Sequence, residues 1–222
     1  MRTKTLLAAA AIVAAGLVTS VAQSNVYSLN VVGYVNKSFQ NGFFTFVSNP
    51  LNNSTNSLKN IIPNPPDNTQ VWRWLVGAQD LDVANIATYS SALQQWVPNP
   101  QINPGEGVFV VAGANFTNTF VGEVPQGALS KSLVGNGNFE AVGSLAPVGG
   151  SLTNVLAQYP ATDNDQVWTW LVGAQDLDVA NISTYSASLS KWLPDANIPV
   201  ADGFFLVRAG GPVNYVRNFT VQ

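Results

Sequence analysis

Residues 70–98 recur as 166–194, 96 positions further along a chain of 222, and 22 of the 29 paired residues are identical. A chain that carries the same stretch twice folds most simply as two units built alike. The following 28 positions, 99–126 against 195–222, keep six identities: Ile102, Gly107, Phe109, Val111, Asn118 and Gln126. Uniform drift after one old duplication does not leave so sharp a step. Either sequence exchange has homogenised the two segments or each performs the same demanding job, and the residues alone leave both open.

Arg2 and Lys4 precede an apolar and small-residue run from Leu6 to Val18, followed by Ser20-Val21-Ala22. This is the layout of a secretion signal cleaved after Ala22, and the run is shorter than the ~20 residues a spanning helix needs. The expected product is secreted or periplasmic, with no membrane insertion after cleavage. There is no cysteine, so the exported chain must be held by its core rather than by disulfides. Cleavage removes two basic residues and leaves seven against twelve acidic ones, a net charge of −5. No basic cluster remains to neutralise grouped phosphates, which argues against nucleic acid as a partner. Six Trp and eleven Phe are ample for a core.

Before each copy lies a stretch with the alternating bulk of a strand, 31–35 (VVGYV) and 120–124 (FVGEV). A glycine-led aromatic strand follows in each unit, at 42–47 and 137–142, and then SLKNII at 57–62 and SLTNVL at 151–156. Apolar residues there fall at i, i+3 and i+4 after a serine, which predicts one or two helical turns packed through a single face. In VWRWL at 71–75 the period of two puts Trp72 and Trp74 on one face and Arg73 on the other. Gly77 opens a polar loop, 78–85, which returns through short strands at 86–90 and at Trp96-Val97. Turn residues at 103–107 lead into the apolar run 108–111, and Asp202-Gly203 lead into 204–207, so both runs read as buried strands. The pattern predicts a mainly β protein of two tandem homologous units, sandwich- or barrel-like, with one short helix each. A signal at 1–22 precedes a first unit over 23–126 and a second over 127–222.

The same residues carry a likeness. A signal, then VYSLNVVGYVN, a glycine-led strand ending in SNPL, a VWRW strand, and PGEGVFV before TFVGEV resemble a group of secreted bacterial proteins known mainly as uncharacterised open reading frames. The resemblance spans nearly the whole mature chain. It implies export and a duplicated β architecture, and it brings no catalytic or binding residue with it.

Absent residue types exclude whole chemistries. With neither His nor Cys, His-dependent triads, thiol nucleophiles and His- or Cys-ligated zinc or copper sites cannot be built. Gly135-Asn136-Gly137 and Gly105-Glu106-Gly107 lack the spacing of a phosphate loop or a dinucleotide fingerprint and read as turns. Carboxylates remain, and a small all-β glycoside hydrolase needs two of them about 5–9 Å apart. Glu106, Glu123 and Glu140 are the only glutamates and nothing marks a pair, so no catalytic residue is assigned.

Asp80 and Asp82 with Asn85, repeated as Asp176 and Asp178 with Asn181, set alternating oxygen ligands on a glycine-led loop. Such a set suits Ca²⁺, the one candidate ion, although Ala84 stands where a calcium loop carries its next ligand. The bland role for these side chains is capping nearby backbone N–H groups. All six tryptophans lie in the repeat. Trp72, Trp74 and their partners are expected in the core, whereas Trp96 and Trp192, each two residues before a proline, are the candidates for exposure. The expectation is a non-enzymatic exported structural or adhesive β protein of the cell envelope or extracellular space, with glycans or envelope components as partners. A carbohydrate-binding module using Trp96, Trp192 and the Asp/Asn loops is the first alternative, and a small glycoside hydrolase the second.

Overall fold

The computed structural model describes residues 31–221; the expected secretion signal and residues 23–30 lie outside them. The first half contributes β1 (Val32–Phe39), β2 (Phe44–Ser48), α1 (Leu58–Ile61), β3 (Gln70–Trp72), β4 (Trp74–Leu75) and β5 (Asp80–Leu81). It continues with β6 (Ala87–Ser90), β7 (Gln95–Val97), β8 (Gly107–Val111) and β9 (Phe116–Glu123). The second half contributes β10 (Gly127–Leu133), β11 (Phe139–Val142), β12 (Gly150–Ser151), α2 (Leu152–Val155), β13 (Gln166–Trp168), β14 (Trp170–Leu171) and β15 (Asp176–Leu177). There follow β16 (Ser183–Ser186), β17 (Lys191–Leu193), β18 (Asn197–Ile198), β19 (Phe204–Val207) and β20 (Val213–Phe219). The described residues are therefore mainly β with two short helices, as the sequence pattern predicts.

Each half builds an antiparallel five-stranded sheet of the same order, β2-β8-β3-β6-β7 in the first and β11-β19-β13-β16-β17 in the second. In each, the opening and closing strands pair as a separate ribbon, β1 with β9 and β10 with β20. We call each sheet with its ribbon and helix a lobe. The likeness of 31–35 to 120–124 is therefore that of partners within one ribbon, with Val32 opposite Glu123 and Tyr34 opposite Val121. The second lobe opens instead with β10, whose Lys131-Ser132-Leu133 stands where the first has Lys37-Ser38-Phe39.

Ser57 and Ser151 precede the two helices, and the Ser151 side chain accepts a bond from the Asn154 N–H. Leu58, Ile61, Leu152 and Val155 are buried, so the predicted single apolar face is the one that packs. The expected strand at 71–75 is interrupted at Arg73, whose carbonyl accepts the Asp82 N–H at 2.8 Å. Trp74 and Leu75 then fold back to pair with Leu81 and Asp80.

Both faces of each sheet are covered, which explains the unbroken apolar runs. Val47, Val71, Val108 and Val110 join Leu58, Ile61, Phe39 and Phe120 in the core of the first lobe. Val142, Val167, Phe204 and Leu206 do the same with Leu152, Val155 and Leu133 in the second. The alternate residues point the other way: Phe44, Phe46, Trp72 and Phe109 meet Phe139, Trp168 and Phe205 in a third, aromatic cluster shared by both lobes. Burying such side chains contributes roughly 1.5–3 kcal/mol each. The two lobes consequently belong to one compact unit, Val31–Gln222.

Candidate functional site

The lobes meet along a local twofold relation, and each contact occurs twice. Val47 bridges to Asp202 and Val142 bridges to Glu106, equivalent pairs of opposite sense. Around them the Ser48 N–H donates to the Ala201 carbonyl at 2.9 Å and the Gly143 N–H to the Gly105 carbonyl at 3.1 Å. A Cβ at Gly203 would lie 2.5 Å from the Phe46 ring, and one at Gly107 would lie 2.8 Å from the Val142 backbone. Strands can approach this closely only where no side chain intervenes. Gly107 and Gly203, with Phe109 and Phe205, are among the few identities outside the repeated segment, and both pairs sit at this junction.

The repeated segment supplies a reciprocal clamp. The Trp74 Nε1–H donates to the Phe139 carbonyl at 2.7 Å, and the Trp170 Nε1–H donates to the Phe44 carbonyl at 2.8 Å. Gln79 accepts the Phe139 N–H at 2.8 Å and donates to its carbonyl at 3.3 Å. Gln175 accepts the Phe44 N–H at 2.7 Å and donates to that carbonyl at 3.1 Å. Each lobe thus grips the edge backbone of the other with an indole and an amide. Gln79 and Gln175 both hold left-handed backbone, at φ 54° and 55°, where glycine is the easy choice. The side-chain job explains why an amide occupies both positions, and no spacing rule flags it in the sequence. Ring contacts reinforce the clamp: Trp74 meets Phe205 edge-on at 4.8 Å, and Trp170 meets Phe109 at 5.0 Å.

Beside these rings lies a cleft of about 800 Å³. Phe44, Trp170, Gln175 and Leu177 line it together with their counterparts Phe139, Trp74, Gln79 and Leu81. Among the described residues, Asp176 is the only charged one in the lining.

Two smaller polar cavities, about 250 and 330 Å³, flank the junction. The first is lined by Arg73, Asp82, Glu106 and Lys131, the second by Lys37, Asp178, Asn181 and Asp202. Lys37 and Asp202 form an ion pair between lobes. Burial pushes the Asp202 carboxyl up, and Lys37 opposes that shift. Burial likewise lowers Lys131, against the pull of Glu106 and Glu140. Arg73 stands 3.6 Å from Glu106, and the same carboxylate accepts the Asn103 N–H.

The sequence-predicted residues fall in different places. Trp96 and Trp192 are not exposed: they are 3% and 4% accessible. Each is the middle residue of a three-residue strand, so the period of two turns it inward while Val97 and Leu193 face solvent. Trp96 packs against Tyr89 and donates to the Ile62 carbonyl at 2.9 Å; Trp192 packs between Tyr159 and Tyr185. Asp82 accepts from the Asn85 backbone and amide, and Asp178 from those of Asn181. Asp80 and Asp176 each accept the next residue's N–H. The described residues contain no group of three acidic side chains positioned for a metal. Glu140 is buried and accepts the Val134 and Gly135 N–H groups, while Glu123 is exposed on β9.

No protein-family model matches the chain, and no curated protein or solved structure matches it either.

Proposed function

We propose that the protein is a non-enzymatic exported β protein that serves as a structural or adhesive module of the cell envelope or the extracellular space. The reciprocal clamp is the observation that carries this reading. The aromatic and amide groups common to both copies hold the sister lobe, and the common Asp–Asn pairs hold their own loops. Each of these groups is already engaged by a partner within the protein. Outside the clamp, Leu75, Val83 and Leu93 and their counterparts Leu171, Val179 and Leu189 are all exposed. Each lobe therefore offers the same apolar points to a surface, as a repeated adhesive unit would.

Export rests on the signal-like sequence at 1–22. Fractionated cells are expected to hold the protein in the periplasm or release it, and cytoplasmic retention would contradict that. Purified protein incubated with panels of polysaccharides and esters is expected to give no turnover. Hydrolysis that disappeared in Glu106→Gln or Asp82→Asn would overturn the non-enzymatic reading.

A further inference from the structure

We propose that the interlobe cleft binds an amphiphilic amine: a hydrocarbon or aromatic body lying among the rings, with its protonated amino end toward Asp176. The site goes beyond the structural role above and does not depend on it. A volume of about 800 Å³ falls within the range of small-molecule sites. Its wall is assembled from both lobes, with Phe44, Trp74 and Leu81 facing from one and Phe139, Trp170 and Leu177 from the other.

The chemistry of the body follows from which groups are already engaged. Both indole N–H groups in the lining donate to edge carbonyls of the opposite lobe. Both glutamine amides have donor and acceptor committed to backbone, Gln79 to Val76 and Phe139, Gln175 to Val172 and Phe44. A polyhydroxylated ligand would lose its hydration there and find few partners, so a sugar is a poor occupant. An apolar body loses nothing by leaving water.

The polarity of the end follows from the lining's one charge. Asp176 is exposed and its Oδ1 accepts the Leu177 N–H; among the described residues it forms no ion pair. Among the described residues no Lys or Arg lines the cleft. An ammonium end is attracted by that carboxylate and by the neighbouring ring faces, whereas a carboxylate end is repelled.

The test uses the purified protein and the neutral fluorophore N-phenyl-1-naphthylamine, displaced in turn by dodecylamine and by dodecanoate below their micellar concentrations. Saturable enhancement at one probe per chain is expected. At low ionic strength dodecylamine should displace it at roughly threefold to tenfold lower concentration than dodecanoate, a preference that added salt reduces. Asp176→Asn retains the oxygen that accepts the Leu177 N–H, so it leaves the loop intact and is expected to bring the two competitors level. Leu177→Phe, checked for an unchanged circular dichroism spectrum, narrows the cleft and should weaken the probe itself. The proposal is overturned if no saturable enhancement occurs, if dodecanoate competes as well as dodecylamine, or if the preference survives Asp176→Asn.

Discussion

Replacing Gln79 by Ala removes one arm of the clamp and strands a definable group. The Phe139 carbonyl keeps its 2.7 Å bond from Trp74, but the Phe139 N–H loses the Gln79 acceptor at 2.8 Å. A stranded, half-buried N–H costs about 1–3 kcal/mol and the lost Gln79 bond to the Val76 carbonyl adds roughly 1 kcal/mol, against about 1 kcal/mol of rotamer freedom returned to the chain when Gln79 is deleted. The expected net loss is about 1–3 kcal/mol, or a fall of roughly 3–9 °C in Tm for a domain this size. Gln175→Ala should cost the same within about 0.5 kcal/mol, because its bonds to Phe44 are equivalent. Gly at either site should be no worse than Ala, because φ is 54° and 55° there and glycine relieves about 1 kcal/mol of left-handed strain. The assay is urea unfolding followed by tryptophan fluorescence, with far-ultraviolet circular dichroism as a second probe. The reasoning is refuted if either Ala variant costs less than about 0.3 kcal/mol, or if Gly is worse than Ala by the ~0.5–1 kcal/mol usual in regular structure.

Other consequences can be checked separately. Trp96→Ala and Trp192→Ala each empty a core site and should cost about 3–5 kcal/mol, read by the same unfolding titration; a loss below about 1 kcal/mol would place these rings at the surface. Burial pushes the Tyr215 hydroxyl up from 10.0 to about 12, despite Arg217, and pushes Tyr159 up further. The unfolded chain therefore loses these protons first, so their contribution is complete below pH 10 and falls as the pH rises toward 12. Tyr215→Phe should flatten that decline, and an unchanged slope would contradict it. Because Asp82 and Asp178 are occupied by Asn85 and Asn181, Tm should be indifferent to a calcium chelator; a drop restored by Ca²⁺ would assign those loops a ligand role.

Much of the architecture could be read from the residues because it is local. SLKNII and SLTNVL declare a one-faced helical turn, and the unbroken apolar runs ending at Val111 and Val207 declare strands covered on both sides. The pairing of β1 with β9 could not be read, because its partners are separated by most of a lobe and alternation does not specify which strand is opposite. Trp96 and Trp192 show the limit of proximity to proline as a sign of exposure: the direction of a single residue depends on its phase in the strand, which a three-residue element barely records. Gln79 and Gln175 are polar and identical in both copies, but their left-handed backbone and the strand they hold in the sister lobe are visible only in the folded molecule. The choice left open between exchange and shared duty gains physical content here, since the duplicated Trp and Gln do equivalent work.

The mutual grip of the two lobes is tested most directly by nuclear magnetic resonance of the indole protons. The account predicts that the Nε1–H protons of Trp74 and Trp170 both exchange slowly with solvent and show cross-peaks to the α protons of Phe139 and Phe44 respectively. Rapid exchange of either indole, or a cross-peak pattern present for one tryptophan and missing for the other, would contradict it.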